Sequence, residues 1–178
     1  MAIGPAISAD AGSTLLSRTL ARAQAGDVKA QEGLGAMYST GNGVPQDYSQ
    51  AVIWFQRAAE QGDAFAEDAL GDSYEYGMGL QKDRALALRW YLKAAEQGYP
   101  EAEASIGLYY LYGDGPVTKN YPDAYFWLDL SSAGNLGSHE KAQTVKFRDV
   151  AASHLTPEEL LQSQQRASKW FVDHPVPK

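Results

Sequence analysis

The apolar and polar positions of this chain recur at an interval of 36 residues. When residues 27–62 are laid on residues 63–98, Leu34-Gly35 falls on Leu70-Gly71 and the string AAEQG falls on an identical string. The other matched pairs are Ala30 with Ala66, Tyr38 with Tyr74, Gly41 with Gly77, Gly43 with Gly79, Asp47 with Asp83, Ala51 with Ala87, Trp54 with Trp90 and Phe55 with Tyr91. A fixed period of this length is typical of proteins built from tandem structural repeats.

Each copy predicts a pair of α-helices joined by a tight turn. Leu34 and Tyr38 lie four residues apart, which places them on one face of a first helix. Gly35 has no Cβ and is expected to let the second helix approach closely. The second helix combines a large aromatic face with a small face, formed by Ala51, Trp54, Phe55, Ala58 and Ala59. Because one hairpin cannot bury both of these faces, we expect the hairpins to stack.

Capping and turn residues mark the predicted helix boundaries. Asp27 and Asp63 are suited to cap the first helices, and Pro100 stands where a first-turn proline would. The Gly41-Asn42-Gly43 string and its copies supply positive-φ positions for the turn, after which Asp47 is expected to open the second helix.

A third, less regular copy and two terminal segments complete the predicted organisation. In the third copy one residue is inserted in the loop, and Ser131-Ser132 replaces the alanine pair. Downstream, we expect one helix capped by Ser138 and a last helix opened by Thr156-Pro157-Glu158-Glu159. The last helix is expected to close the array with Leu160, Leu161, Ala167, Trp170 and Phe171. The predicted segments are 1–12 (a flexible tail or the remnant of an export signal), 13–26 (an N-terminal capping half-repeat), 27–62, 63–98 and 99–135 (the repeats), 136–172 (a C-terminal capping helix pair) and 173–178 (a tail).

The repeat carries a specific consensus. Residues 30–62 fit the pattern A-x-x-x-L-G-x-x-Y-x-x-G-x-G-V-x-x-D-x-x-x-A-x-x-W-[FY]-x-x-A-A-E-x-G almost completely. The pattern resembles the Sel-one-like repeat (SLR) family of bacterial type, a branch of the tetratricopeptide-like α-solenoids. The resemblance covers roughly residues 13–134. It implies an all-α fold, a right-handed α-α superhelix of about three helix-turn-helix repeats with N- and C-terminal capping helices. It also implies a protein-interaction scaffold without catalytic activity, and it names no partner.

If the hairpins stack as in tetratricopeptide arrays, the first helices line a concave groove. The residues predicted to face into that groove and to bind a partner are Glu32, Phe65, Asp68, Asp72, Glu75, Tyr76, Glu101, Leu108 and Tyr112. Carboxylates beside aromatic rings favour a peptide that carries Lys or Arg, by charge complementarity and cation–π contact. Two alternatives stay open: Asp68, Asp72 and Glu75 form an ordinary solvated face, or Tyr76 and Tyr112 pack near the turns.

Composition and charge narrow the partners and the chemistry. The 178 residues include 22 acidic and 15 basic side chains, with a net charge of -7 and no basic run, which argues against nucleic acid. No apolar stretch approaches the roughly 20 residues that cross a bilayer, so membrane insertion is not expected. The chain has no cysteine, and its three histidines lack metal-ligand spacing. We therefore expect no metal site and no cofactor.

One string looks catalytic. Ser138-His139-Glu140-Lys141 matches the S-x-x-K signature of serine β-lactamases. The companion strings S-D-N and K-T-G do not occur, and capping a helix is a sufficient role for Ser138. The chain is therefore not expected to be an enzyme.

Two functions remain, and both are binding functions. The first is an adaptor that binds a peptide or protein in the concave groove. The alternative is an immunity- or inhibitor-type partner that neutralises one secreted effector, since an acidic groove would suit a basic target surface. The small residues of Ile7-Ser8-Ala9 before Asp10 favour the bacterial periplasm over the cytoplasm. A monomer is the favoured oligomeric state.

Overall fold

The protein is an array of α-helices. A computed structural model describes residues 8–174, and within that range it contains nine helices and no strand. They are α1 (Ser8–Gln24), α2 (Val28–Thr40), α3 (Tyr48–Ala59), α4 (Ala64–Tyr76), α5 (Arg84–Glu96), α6 (Pro100–Tyr112), α7 (Tyr121–Ala133), α8 (Ser138–Ala152) and α9 (Pro157–Asp173). Residues 1–7 and 175–178 of the predicted tails lie outside the described residues. The remainder of the predicted N-terminal tail, residues 8–12, is helical, in keeping with its alanines and its lack of proline.

The helices form hairpins that stack in chain order. α2 pairs with α3, α4 with α5 and α6 with α7, and the second helix of each hairpin packs on the first helix of the next. α1 packs on α2, while α8 and α9 both pack on α7. Four aromatic residues of the second helices, Trp54, Phe55, Tyr91 and Trp127, are buried between the layers. The chain is therefore the all-α solenoid that its sequence pattern predicts.

A glycine in each first helix allows the two helices of a hairpin to come close together. A Cβ atom on Gly35 would lie 2.4 Å from the ring of Phe55, and one on Gly71 would lie 2.4 Å from the ring of Tyr91. The third repeat follows the same arrangement. Since close-packed interiors leave no room for such overlaps, the helices can pack this closely only because the side chain is absent. The predicted role of this glycine is confirmed.

The predicted caps of the repeats are also confirmed. The carboxylates of Asp27 and Asp63 each accept a hydrogen bond of 2.9 Å from the backbone N–H three residues on. Asp47 and Asp83 cap the second helices in the same way, accepting from the two N–H groups that follow the first helical residue. Asn120 replaces the aspartate in the third repeat and still caps, accepting from the N–H of Asp123 at 3.0 Å.

The C-terminal helices differ in detail from the prediction. α8 is capped at Gly137, whose N–H donates to the Glu140 carboxylate at 3.0 Å, so the expected cap at Ser138 is wrong. α9 turns Ala167 and Trp170 toward the core. It leaves Leu161 and Phe171, which were expected in the same face, 54% and 38% exposed. Their register on the helix places them away from α7.

A buried polar side chain ties the two helices of the first two hairpins together. Gln31 in α2 accepts a hydrogen bond of 2.7 Å from the amide of Gln61, just after α3. Glu67 occupies the equivalent position in α4 and accepts one of 2.7 Å from Gln97. The hydrogen bond satisfies a buried acceptor that would otherwise have no donor.

The third repeat lacks this tie. Glu103 is the equivalent residue and is only 3% exposed, but Gly134 stands where the glutamine of the other repeats stands. Burial, together with the charge of Glu101, raises the pKa of Glu103 to about 8. The missing glutamine thus leaves a buried carboxyl that is protonated more readily than an ordinary glutamate.

Candidate functional site

The residues predicted to line the groove lie on α2, α4 and α6, the first helices of the three repeats. We call the solvent-facing side of these helices, with the adjoining side of α8, the first-helix face. Three depressions follow one another along it, between α2 and α4, between α4 and α6, and between α6 and α8. An extended surface of this kind suits a segment of another chain better than it suits a compact small molecule.

The first depression contains Phe65. This residue is 37% exposed, and its ring packs edge to face on that of Phe55, with the ring centroids 6.1 Å apart. Tyr48, Asp72 and Met78 also line this depression. Phe65 therefore presents one ring edge to solvent while its other side is held by the hairpin core.

The second depression is lined largely by tyrosines. Its volume is about 160 Å³. The lining residues are Glu75, Tyr76, Tyr91, Ser105, Leu108, Tyr109, Tyr112 and Asp114. Tyr76 and Tyr112 are 68% and 58% exposed, so they are surface residues and do not pack into the turns. We call this the tyrosine depression.

The third depression is apolar and lies between α6 and α8. Its volume is about 190 Å³, and Leu108 lines it as well as the tyrosine depression. The ring of Phe147 in α8 lines it and meets Tyr112 edge to face at 6.5 Å between centroids. Leu108 and Tyr112 therefore connect the two depressions into one strip.

Three carboxylates at the centre of the first-helix face, Asp68, Asp72 and Glu101, form no ion pair with any described residue. Asp68 Oδ1 and Glu101 Oε2 are shielded from solvent and accept no hydrogen bond from the described part of the chain. Burial, then the charges of Asp72 and Glu101, raise the pKa of Asp68 to about 8. An unpaired buried acceptor costs about 1–3 kcal/mol, which a donor from outside would recover.

Two other predicted site carboxylates are already paired within the chain. Glu75 lies 3.0 Å from Arg84 Nε and accepts the hydroxyl hydrogen bond of Tyr109. Glu32 lies 2.6 Å from Lys29 Nζ. The carboxylates of these two side chains are therefore less available to the cation of a partner than those of Asp68 and Glu101.

The structure adds residues that the sequence pattern did not single out, above all Tyr91, Tyr109 and Phe147. Tyr91 occupies the core position that Phe55 holds one repeat earlier, and its hydroxyl donates to Asp72 at 2.7 Å. A tyrosine that replaces a phenylalanine in the core needs an acceptor for its hydroxyl group. This replacement was the feature of the sequence from which a role for Tyr91 near the acidic side chains could have been inferred. Phe147 lies on α8, which was interpreted only as a cap.

Among the described residues, no three or more His, Asp or Glu side chains come together so as to hold a metal ion. The rings of His154 and His174 stack on Tyr121 and Trp170, at 4.1 and 3.8 Å between centroids. In the same part of the chain, no helix is long and apolar enough to cross a membrane.

The raised pKa of Asp68 predicts a pH-dependent stability. Because the folded pKa of about 8 exceeds the ordinary value of 3.8, the folded state holds this proton more tightly than the unfolded state. The free energy of unfolding therefore falls as the pH rises from about 4 to about 8. Asp68→Asn removes this titrating group. We expect the free energy of unfolding of the variant to exceed that of the wild type by about 1–3 kcal/mol near pH 9 and to equal it near pH 4.

Urea unfolding at both pH values measures this difference. The control is Glu60→Gln, an exposed substitution just after α3, which should stay within about 0.5 kcal/mol of the wild type at each pH. An advantage of Asp68→Asn that does not change with pH would contradict a titrating Asp68.

A model of the Sel1 repeat matches residues 28–63, 64–99 and 100–136, more than half of the chain. Each matched range starts one residue after the predicted start of the corresponding repeat. No curated protein matches the chain.

Two solved structures are similar to this chain. The protein c5321, described as a protective antigen present in uropathogenic Escherichia coli strains and displaying an SLR fold, is 31% identical with a TM-score of 0.79. The match covers 89% of this chain and 33% of that protein, so this chain spans about a third of its length. A Sel1 repeat protein from Oxalobacter formigenes is 34% identical with a TM-score of 0.62, and the match covers 74% of this chain and 97% of that one.

Proposed function

This chain belongs to the Sel1 repeat family, whose members generally mediate protein–protein interaction, and from that premise we propose that it binds a basic segment of another protein along the first-helix face. The observation that carries the proposal is the set of unpaired carboxylates at the centre of that face. Asp68 Oδ1 and Glu101 Oε2 are both shielded from water and without a donor. A lysine or arginine of the partner would supply the donors.

The charge around these carboxylates supports a cationic partner. Asp68, Asp72 and Glu101 form no ion pair with a described residue, while Lys29 on α2 and Arg84 at the start of α5 are already paired. Lys29 bridges Glu32 and Asp63, and Arg84 bridges Glu75 and Asp114. The acidic groups at the centre of the face therefore have no cationic partner of their own, which favours a basic segment over an acidic one.

The shape of the face supports an extended or helical segment with apolar side chains beside its basic ones. The exposed rings of Phe65, Tyr76 and Tyr112 lie on the same helices as the acidic positions, and Leu108 lines both the tyrosine depression and the apolar depression. Aromatic side chains at the centre of an interface often carry much of its binding energy. Sel1 repeat scaffolds are typically non-catalytic, and the role proposed here requires no reaction.

The test is selection from a library of displayed random peptides on the immobilised full chain. We expect the enriched sequences to carry Lys or Arg next to bulky apolar residues. The affinity of one enriched peptide is then measured by calorimetry near pH 8 for two double variants. Asp68→Asn with Glu101→Gln should weaken binding by about tenfold or more, because each lost charge-assisted contact is worth more than 1 kcal/mol.

The matched control is Glu60→Gln with Glu96→Gln. It removes the same two charges from exposed positions at the ends of the second helices α3 and α5. We expect the control to stay within about twofold of the wild type. Equal weakening by both pairs would indicate attraction by net charge alone, and enrichment of peptides without basic residues would refute the proposal.

A further inference from the structure

Four tyrosine rings surround the tyrosine depression. Tyr91 and Tyr109 are 2% and 7% exposed, and their rings meet edge to face at 6.2 Å between centroids. Tyr76 and Tyr112 border the same space and are mostly exposed. Leu108 supplies the aliphatic part of the lining. The depression therefore has two fixed rings within the packed helices and two accessible rings at its mouth.

The hydroxyl groups that line the buried part of the depression already donate hydrogen bonds within the chain. Tyr91 donates to Asp72 at 2.7 Å, and Tyr109 donates to Glu75. Ser105 donates to the backbone oxygen of Glu101 at 3.1 Å. Because each hydroxyl has only one hydrogen to donate, these three oxygens can act only as acceptors toward a ligand. Such a lining attracts a cation and repels an anion.

The charged groups around the depression lead to the same conclusion. Glu75 and Asp114 line the depression, and Asp72 lies beside it, where it accepts the hydrogen bond of the lining residue Tyr91. The one cation that pairs with them among the described residues is Arg84, which bridges Glu75 and Asp114. The depression and its immediate surroundings thus hold three carboxyl groups, and only two of them are paired with the single guanidinium.

We propose that the tyrosine depression is the subsite for an arginine side chain of the bound partner. This assignment rests on the proposed binding function and names the side chain that the partner contributes. A guanidinium group is planar, stacks on aromatic rings and sheds water more easily than an ammonium group. Its donors match the acceptor-only hydroxyls, and its aliphatic stem matches Leu108.

The experiment uses three small probes with the full chain: N-acetyl-arginine amide, N-acetyl-citrulline amide and N-acetyl-lysine amide. Citrulline has the shape of arginine without its charge. Each probe is titrated while the ring signals of Tyr76 and Tyr112 are followed by NMR. We expect the arginine probe to bind at least about fivefold more tightly than the citrulline probe, and more tightly than the lysine probe.

Matched variants identify the rings as the cause. Tyr76→Leu with Tyr112→Leu should reduce binding of the arginine probe to the level of citrulline, whereas Tyr76→Phe with Tyr112→Phe should stay within about twofold. Both wild-type rings are mostly exposed, so the fold should persist, and circular dichroism verifies this. Phe171→Leu, at a partly exposed aromatic residue on α9 and outside the first-helix face, should leave the affinity unchanged.

Equal binding of arginine and citrulline, or equal loss in the leucine and phenylalanine pairs, would overturn the proposal. Tighter binding of lysine would also overturn it. This outcome is independent of the peptide selection, because the probes need no partner and the variants leave Asp68 and Glu101 intact. Failure of the arginine probe with successful enrichment of basic peptides would refute only the arginine subsite.

Discussion

Replacing Leu70 by alanine is expected to lower the free energy of unfolding by about 2–5 kcal/mol. Leu70 is fully buried in α4 and packs in a cluster with Phe55 and Ala58 from α3, so it joins the first repeat to the second. Truncation removes apolar contacts and leaves a cavity that these neighbours cannot fill without separating the repeats. Urea unfolding followed by circular dichroism measures the change.

Leu161→Ala provides the matched control. Leu161 is 54% exposed on α9, so its truncation should change the free energy of unfolding by no more than about 0.5 kcal/mol. A loss at Leu161 comparable to that at Leu70 would show that α9 packs more tightly than the structure indicates.

Gly79→Ala is expected to cost about 2–4 kcal/mol, the second large effect. Gly79 has a φ of +76°, which an L-residue adopts at a cost of about 1–2 kcal/mol. A Cβ there would also lie 2.3 Å from the carbonyl oxygen of Tyr48, at the start of α3 in the preceding repeat. Backbone atoms cannot move aside as a flexible side chain can. The added Cβ would therefore separate the turn of the second repeat from the start of α3 in the first repeat.

Gly43→Ala separates these two causes. Its φ of +78° is nearly the same, but a Cβ there would meet only the end of the Met37 side chain, at 3.2 Å. The backbone strain is therefore matched while the contact between repeats is missing. We expect Gly43→Ala to lose about 1–2 kcal/mol, and chemical denaturation of the two variants side by side gives the difference. Equal losses would show that the Gly79 contact contributes nothing to stacking.

Much of the fold was predictable because its causes are local and repeated. An aspartate after a helix-ending glycine caps the next helix in any context, and Asp27 and Asp63 do so here. The close approach at Gly35 and Gly71 followed from the absence of a side chain on a face that is otherwise apolar. The predictions that failed lay outside the repeats, where Ser138 has no second copy to compare with.

The candidate site was less predictable because it depends on contacts between distant residues. The pattern placed Glu75 on the correct helix, yet its pairing with Arg84 and Tyr109 depends on how the turn and the next repeat fold over it. Tyr91 was correctly expected in the core, but its hydroxyl reaches Asp72 on the first-helix face. Periodicity identifies the helix face on which a residue lies and does not identify its partner across a hairpin.

Asp68 and Glu101 also show where stability and binding oppose each other. Asp68→Asn is expected to stabilise the folded chain at high pH, and the same change in combination with Glu101→Gln is expected to weaken the partner complex. A residue that breaks a local rule of stability without a compensating contact is the kind found at functional sites. Measuring both quantities on one set of variants would connect them.

The contact that Gly79 makes with Tyr48 has a consequence for how such a chain can evolve. Gly115 occupies the corresponding position one repeat later, where a Cβ would approach the side chains of Tyr109 and Arg84, and Arg84 corresponds to Tyr48. Each repeat thus carries both parts of the contact between repeats: a glycine turn that packs on the preceding repeat, and the start of a second helix that receives the turn of the next repeat. A gene duplication of residues 63–98 would therefore insert a unit whose two junctions already fit, and it would lengthen the first-helix face without a newly evolved interface.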